Sequence, residues 1–170
     1  MICFLIGFMG SGKTHWGKIW AGVSGFNFID LDEAIEKQEG KSIADIFERK
    51  GEKYFRKIEA KALRNFGSLT NTIVACGGGT PCFFENMQWM NEHGMTIYLK
   101  TTGPKILERV LLEQEKRPLL KKMNPAELLF FIEQKLKERA PFYNAAKQIL
   151  TAETLSEHTF GKLLGTLKAS

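Results

Sequence analysis

Short, continuous apolar runs alternate along this chain with longer segments in which apolar residues recur at helical spacing. The apolar runs predict five buried strands, at residues 2–6, 26–30, 72–76, 95–99 and 147–150. Strands that are apolar on both faces must be covered on both faces, which is typical of a parallel sheet between helices. The pattern therefore predicts an α/β fold, a doubly wound three-layer α/β/α sandwich.

The intervening segments predict the helices that cover this sheet. Ser42 is placed to cap one of them, with Asp45 three positions further on. Arg139 precedes Ala140-Pro141, so we expect a helix to break or restart at that point. The predicted helices run from a glycine-rich loop to about residue 23, from about residue 32, and over residues 42–51, 52–66, 84–92, 104–112, 125–139 and 155–167.

The composition indicates one ordinary globular domain, residues 1–170. The chain has no repeat or linker, and its net charge of +5 is spread along its length. Such a charge is typical of a solvated surface or of a protein that binds a small anion, and nucleic acid is not favoured. Ile2–Ile6 is too short for a signal peptide or a membrane span. Cys3 and Cys76 lie in apolar runs, which predicts core packing in a reducing, cytoplasmic compartment.

The loop after the first strand, GFMGSGKT, matches the phosphate-loop pattern G-x-x-x-x-G-K-[ST] in full. Its glycines let backbone N–H groups turn towards phosphate oxygens, and the following helix N-terminus adds a favourable dipole. Lys13 is expected to reach the β- and γ-phosphates, and the Thr14 hydroxyl to bind Mg²⁺. The alternative is a glycine-rich turn with a surface lysine. The strand–loop–helix context favours a nucleoside triphosphate site formed by Gly10, Ser11, Gly12, Lys13 and Thr14.

Asp30 and Asp32 stand two apart where the second strand meets its helix. Nucleotide-bound Mg²⁺ needs a nearby carboxylate, and a kinase needs a group that orients or deprotonates the attacking hydroxyl. Phosphate-loop enzymes often carry the magnesium-binding Asp at the end of the third strand, where this chain has Cys76-Gly77. That difference favours Asp30 for the metal and leaves Asp32 for the hydroxyl. The alternative is that Asp32 only caps the helix.

Arg56 and Glu59 lie three apart on one predicted helix face. As a surface ion pair they would contribute roughly a few tenths of a kcal/mol. The functional interpretation is that Glu59 holds Arg56 so that its planar fork can bind a substrate carboxylate. The GGGT sequence after the third strand is either a flexible turn or a backbone against which a ligand sits directly.

Two more arginines lie in the second half of the chain. Arg117 belongs to EKRPLLKK, which is either a plain charged loop or a mobile lid that excludes water during phosphoryl transfer. Arg139 belongs to KERAPFY, and its local interpretation is a charge at a helix C-terminus.

Taken together, these motifs resemble the shikimate kinase family of the nucleoside-monophosphate-kinase-like group of phosphate-loop proteins. GFMGSGKT, D-L-D, G-E-x-x-F-R-x-x-E, the triple glycine, R-P-L-L and R-A-P-F-Y occur in family order over nearly the whole chain. The resemblance implies a five-stranded parallel sheet of order 2-3-1-4-5, a substrate-binding region at about residues 32–60 and a mobile lid at about 113–124. It also implies a monomer that phosphorylates the 3-hydroxyl of shikimate with ATP in aromatic amino acid biosynthesis.

The resemblance assigns the acceptor side of the site by position. Asp32 would bind the shikimate hydroxyls and act as the base. Arg56 and Arg139 would bind the carboxylate, with backbone contacts from Gly78 and Gly79. These assignments suit the chemistry of shikimate, an anionic triol.

On the donor side, the resemblance gives Lys13 and Thr14 to the phosphates and Mg²⁺, with Asp30 near the ion. Arg117 would be the lid arginine that meets the phosphates. His15 stands where the family usually has a small hydroxyl residue, although a neutral imidazole can still donate one hydrogen bond to a phosphate. The family often has an Arg- and Pro-containing loop near the adenine, but this chain has TAETLSE there. Arg109 is the candidate for stacking on the adenine.

Two other functions compete with this interpretation. A related small-metabolite kinase, such as a gluconate kinase, would also use paired arginines, but the combined motifs favour shikimate. A nucleotide-dependent binding or regulatory module without catalysis would be expected to lack one of Lys13, Asp32, Arg56, Arg117 or Arg139, and all five are present.

Overall fold

The computed structural model describes residues 1–112 and 123–168 and folds them into helices around one sheet. The strands are β1 (Ile2–Ile6), β2 (Asn27–Asp30), β3 (Thr72–Ala75), β4 (Met95–Lys100) and β5 (Gln148–Thr151). The helices are α1 (Lys13–Ser24), α2 (Leu31–Glu39), α3 (Ile43–Arg64), α4 (Asn86–His93), α5 (Gly103–Leu112), α6 (Pro125–Tyr143) and α7 (Thr159–Lys168).

The sheet of the described chain has five strands in the order β2-β3-β1-β4-β5. Every neighbouring pair is parallel, so all carboxyl ends meet at one edge. The α/β fold class and the implied strand order are thereby confirmed. Since ligands of open parallel sheets bind at this edge, the segments that follow the strands are the ones to examine.

Alternate residues of the central strands supply the cores on opposite faces of the sheet. Phe4 and Val74 point into the core beneath α2, α3, α4 and α6, whereas Leu5 and Ile73 point into the core beneath α1 and α7. A smaller apolar cluster joins α5 and α6 to Phe8 of the phosphate loop. The apolar contacts of Phe8 anchor the phosphate loop to helices α5 and α6.

The three cysteines are free thiols. Cys3 and Cys76 are buried and Cys82 is half-buried. Burial raises the pKa of the Cys3 thiol to about 12. Core packing of Cys3 and Cys76 is therefore confirmed.

Two predictions about helix ends are wrong. Helix α6 does not break at Arg139, because it continues through Pro141 and ends at Tyr143. Pro141 lies in the last turn of the helix, so the missing N–H donor and the distortion caused by its ring affect only the helix end. The closing helix begins at Thr159 rather than near residue 155, and a short 3₁₀ turn (Ala152–Thr154) precedes it.

Helix α3 contains a break that the predicted pair of helices anticipated. Gly51 has φ 76° and ψ 169°, a non-helical conformation in the left-handed half of φ space that favours glycine. The break separates the segment capped by the Ser42 side chain from the segment that carries Arg56 and Glu59. Among the described residues, no helix has both the length and the apolar character that a membrane span requires.

Two glycines of α1 give a matched test of how this helix packs against the sheet. A Cβ on Gly17 would lie 2.5 Å from Phe28 Cε2 and 3.2 Å from Leu5 Cδ1, whereas a Cβ on Gly22 would meet nothing within 4 Å. We expect Gly22→Ala to raise the free energy of unfolding by about 0.5–1 kcal/mol. Gly17→Ala should lower it by about 1–3 kcal/mol, because the added methyl group overpacks the contact between α1 and β2. Urea unfolding measures both, and equal stabilisation by the two variants would contradict this packing.

Candidate active site

The phosphate loop lies between β1 and α1, as its sequence predicts. Gly10 and Gly12 have φ of 75° and 94°, which a side chain would disfavour, and Gly12 precedes the first turn of α1. Lys13 Nζ donates to the carbonyl oxygens of Gly7 and Phe8 at 2.9 Å each. Ser11 is fully buried in the loop. The lysine is thus folded over its own loop, where it can exchange carbonyl oxygens for phosphate oxygens.

Thr14 and Asp30 meet across the cleft between α1 and β2. Thr14 Oγ1 donates to Asp30 Oδ2 at 2.8 Å. Asp30 Oδ1 accepts from the backbone N–H groups of Asp32 and Glu33, so Asp30 caps helix α2. The alternative in which Asp32 is the helix cap is therefore wrong.

Asp32 is left free of the capping role and lines the cleft. Burial, with the negative charges of Asp30 and Glu59, raises the pKa of Asp32 to about 6, against the opposing charges of Lys13 and Arg56. A carboxyl group with a raised pKa in a cleft is a candidate for proton transfer.

Arg56 and Glu59 form a buried pair, which rules out the plain surface ion pair. Arg56 Nη1 donates to Glu59 Oε2 at 2.8 Å, and Thr80 Oγ1 donates to Glu59 Oε1 at 2.6 Å. Arg56 is 8% exposed and Glu59 0%. Glu59 therefore holds Arg56 as its sequence position suggested, and Thr80 fixes the second carboxylate oxygen.

The three glycines that follow β3 bring these groups together. A Cβ on Gly77 would lie 3.1 Å from both Asp32 Oδ1 and Glu59 Oε1. One on Gly78 would lie 3.2 Å from Arg139 Nη1, and one on Gly79 would overlap the Arg56 guanidinium. The triple glycine is therefore a close-packed backbone rather than a flexible turn.

Arg139 faces the same backbone from helix α6. Its guanidinium lies 5.2 Å from the Phe8 ring centroid, and its positive charge opposes the rise in the pKa of the nearby Tyr143 hydroxyl. Tyr143 Oη donates to the Gly78 carbonyl at 2.6 Å, and burial raises the pKa of this phenol. Tyr143 had no predicted role, although it belongs to the R-A-P-F-Y motif. Its hydroxyl fixes the end of helix α6 to the triple glycine.

The other end of the cleft contains the predicted residues Arg109 and His15, together with residues that the motifs did not identify. Arg109 Nη1 donates to the Gly10 carbonyl at 2.8 Å, and His15 is exposed with its ring edge-on to Trp16 at 5.2 Å. Trp16, Leu112 and Ala152 also line the cleft. Trp16 could have been found from its place two residues after Thr14, but Leu112 and Ala152 carry no chemical signal.

The described part of the cleft has a volume of about 630 Å³ and runs along the carboxyl edge of the sheet. It includes most of the predicted phosphate, metal and hydroxyl ligands, while Arg56 and Arg139 adjoin it through the triple glycine. A more open depression of about 720 Å³ lies by Lys57, Lys61 and Arg64 and contains none of the predicted site residues. Arg117 and nearly all of the predicted lid (about 113–124) lie outside the described residues.

The donor set at this edge suits a magnesium ion. The Thr14 hydroxyl and the Asp30 carboxylate are hard oxygen ligands, which Mg²⁺ prefers. Within residues 1–112 and 123–168 there is no group of three or more His, Cys, Asp or Glu side chains that would form a metal cage. Such a site fits an ion that is also bound by nucleotide phosphates.

Comparison with known proteins gives one consistent result. The family model described as shikimate kinase matches residues 9–168. A shikimate kinase of Phocaeicola vulgatus is 41% identical over 154 residues, which cover 91% of this chain and 88% of the relative. The crystal structure of the Bacteroides thetaiotaomicron shikimate kinase superposes with a TM-score of 0.92 at 36% identity, covering 99% of this chain and 98% of the other. The Acinetobacter baumannii shikimate kinase in complex with shikimate gives 0.84 at 31% identity, covering 99% and 92%.

The raised pKa of Asp32 predicts that this residue destabilises the fold at neutral pH. Its pKa is about 6 in the folded chain against 3.8 for the unperturbed group, so unfolding releases protons between these values. Stability conferred by neutral Asp32 is therefore lost as the pH rises through that window. We expect Asp32→Asn to be more stable than the parent at about pH 8 by about 1–2 kcal/mol, and this advantage to shrink towards pH 4.

Urea unfolding at the two pH values measures this effect. Asp45→Asn is the control, because a hydrogen bond from the Ser42 side chain lowers the pKa of Asp45. That variant should lose stability at neutral pH. An Asp32→Asn variant that is less stable than the parent at pH 8 would contradict a raised pKa for Asp32.

Proposed function

The chain belongs to the shikimate kinase family, and we propose that its cleft holds ATP and shikimate in line along the carboxyl edge of the sheet. As an enzyme of this family it phosphorylates shikimate with ATP, in the pathway of aromatic amino acid biosynthesis. What we propose is which residues do this and how. One observation supports the proposal above all others: Asp32, Arg56, Arg139 and the phosphate loop all approach the triple glycine after β3.

Shikimate lies against this triple glycine in the proposed complex. Its carboxylate accepts hydrogen bonds from Arg56 of α3 and Arg139 of α6, which approach Gly79 and Gly78. Its hydroxyls then point towards Asp32 and the phosphate loop. Because Gly78 and Gly79 have no side chains, the two guanidiniums that bind the carboxylate can lie directly against the backbone, with the cyclohexene ring of shikimate beside them.

ATP lies with its β- and γ-phosphates in the loop formed by Gly10, Ser11, Gly12, Lys13 and Thr14. Lys13 leaves the Gly7 and Phe8 carbonyls to bind the phosphates, and His15 donates to the α-phosphate. The adenine of ATP extends towards Arg109 and the end of β5, because shikimate occupies the β2–β3 side of the cleft. Mg²⁺, held through Thr14 and Asp30 together with phosphate oxygens, would offset the charge that develops on the transferred group.

Asp32 orients the 3-hydroxyl and takes its proton. With a pKa of about 6, roughly nine in ten molecules carry the ionised carboxylate at pH 7. In a loose phosphoryl-transfer transition state the proton leaves late, so the position of the carboxylate contributes more than its basicity. Arg117, on a lid over about residues 113–124, completes the proposed site by contacting the phosphates and excluding water.

We also propose that the enzyme acts as a cytoplasmic monomer without nucleic-acid or membrane partners. Two buried thiols support a reducing location. Light scattering of the purified protein measures the assembly state directly.

The activity is tested by ADP release from MgATP with shikimate, quinate, gluconate or a nucleoside monophosphate as the acceptor. We expect release that depends on shikimate, with the phosphate on the 3-hydroxyl of the product. Release that depends on gluconate or a nucleoside monophosphate would identify a different small-molecule kinase. ATP binding without any acceptor-dependent release would point to a regulatory module.

The role of Arg139 is tested by Arg139→Lys. Lysine keeps the charge but cannot make the forked contact, so the KM for shikimate should rise about tenfold, which corresponds to about 1.4 kcal/mol. The KM for ATP should change little, which serves as the internal control in the same steady-state measurement. An unchanged KM for shikimate would remove Arg139 from the acceptor site.

A further inference from the structure

Arg56 is held by a second glutamate that none of the roles above includes. Its Nε and Nη2 groups both donate to Oε1 of Glu52, at 3.2 and 3.1 Å, while Nη1 donates to Glu59 at 2.8 Å. A guanidinium has five N–H donors. Three are therefore engaged by the two glutamates, and two remain for another acceptor.

The chain places Glu52 by means of the break in α3. Gly51 is non-helical, so Glu52 begins the helical segment that carries Arg56 one turn later. Residues four apart lie on the same face of a helix. The glutamate is thus on the correct face, and its position at a helix start is favourable for a negative charge.

The surroundings of Arg56 leave it little other freedom. The Phe83 ring centroid lies 4.5 Å and that of Phe55 5.1 Å from Arg56 Cζ, and the Gly79 backbone packs against the same group. These contacts restrict the guanidinium plane. Glu52 and Glu59 restrict rotation within that plane, since each binds a different edge.

The two glutamates differ in their exposure. The Glu59 side chain is 0% exposed, whereas that of Glu52 is 57% exposed. An ion pair with one exposed partner contributes little to stability, because solvent screens the exposed charge. Its effect is more readily expressed in ligand binding, where a donor group that is already oriented loses less freedom when the ligand arrives.

The charges around the two arginines also differ. In the part of the chain that the structure describes, no carboxylate lies within ion-pair distance of Arg139, whereas Arg56 has two. Because Glu52 is one of the two carboxylates beside Arg56, it has two opposing effects on an anionic substrate. Its oxygen aligns Arg56, and its negative charge repels the substrate carboxylate.

We propose that Glu52 is a positioning residue for shikimate: it holds the Nε–Nη2 edge of Arg56 so that the remaining N–H groups face the substrate carboxylate. The inference rests on the proposed role of Arg56. Alignment outweighs repulsion, because the exposed charge of Glu52 is screened by solvent while the acceptor geometry is fixed.

Two variants separate alignment from charge. Glu52→Ala removes both, and we expect the KM for shikimate to rise about threefold to tenfold, with kcat and the KM for ATP nearly unchanged. Glu52→Gln keeps an acceptor oxygen on Arg56 and removes only the charge. Its KM for shikimate should therefore equal that of the parent or fall below it.

The control is Glu108→Ala, which removes an exposed helical glutamate paired with Lys105 at 3.2 Å. It should leave the KM for shikimate unchanged. Thermal unfolding of all variants accounts for any loss of folded protein. A merely structural role for Glu52 would lower the melting temperature and the active fraction without changing the KM.

The outcomes are distinct. An unchanged KM in Glu52→Ala overturns the proposal, and a lowered KM would show that Glu52 competes with the substrate instead of aligning its ligand. Arg56→Lys separates these results from failure of the proposed function. If Arg56→Lys leaves the KM for shikimate unchanged, Arg56 is not a substrate ligand at all. If it raises the KM, Glu52→Ala should add little in that background.

Discussion

The site depends on a stretch of backbone without side chains. Strand β3 ends between β1 and β2, so the chain that leaves it passes between the phosphate loop and the junction of β2 with α2, which carries Asp30 and Asp32. Gly77, Gly78 and Gly79 occupy this passage, and side chains from α2, α3 and α6 pack directly against them. Any side chain in this position would separate the acceptor ligands from the loop that holds the donor phosphates.

The close approach has an electrostatic consequence. Three carboxylates, those of Asp30, Asp32 and Glu59, converge near one backbone segment, and each has different partners. Asp30 is satisfied as a helix cap and by Thr14, while Glu59 is bound by Arg56 and Thr80. Asp32 is left as the group whose pKa burial and its acidic neighbours raise. Functional sites commonly concentrate such unfavourable local arrangements, which the rest of the fold supports.

The sequence predicted much of this arrangement because its strongest signals are local. Apolar periodicity identified the strands and most helices, and the spacing of Gly, Lys and Thr located the phosphate loop. The strand order came from resemblance, since apolar runs do not specify which strands are neighbours. Which of Asp30 and Asp32 caps helix α2 depends on the backbone angles at one residue, and the spacing of the two aspartates does not determine these angles. Pro141 was misjudged because the tertiary contacts of Tyr143 stabilise a helix past the proline.

Other parts of the site had no sequence signal strong enough to find them. Glu52 looks like any exposed glutamate, and its role follows only from the break at Gly51 and the orientation of Arg56. Leu112 and Ala152 line the cleft because of the order of β4 and β5 in the sheet, which places the segments after them at one edge.

In the proposed complex the triple glycine positions shikimate between two arginines and one aspartate. A crystal structure of the complex with shikimate and MgADP tests this most directly. We expect hydrogen bonds from Arg56 and Arg139 to the carboxylate, and an Asp32 oxygen about 2.6–3.2 Å from the 3-hydroxyl. A carboxylate bound away from both arginines, or a 3-hydroxyl beyond the reach of Asp32, would contradict it.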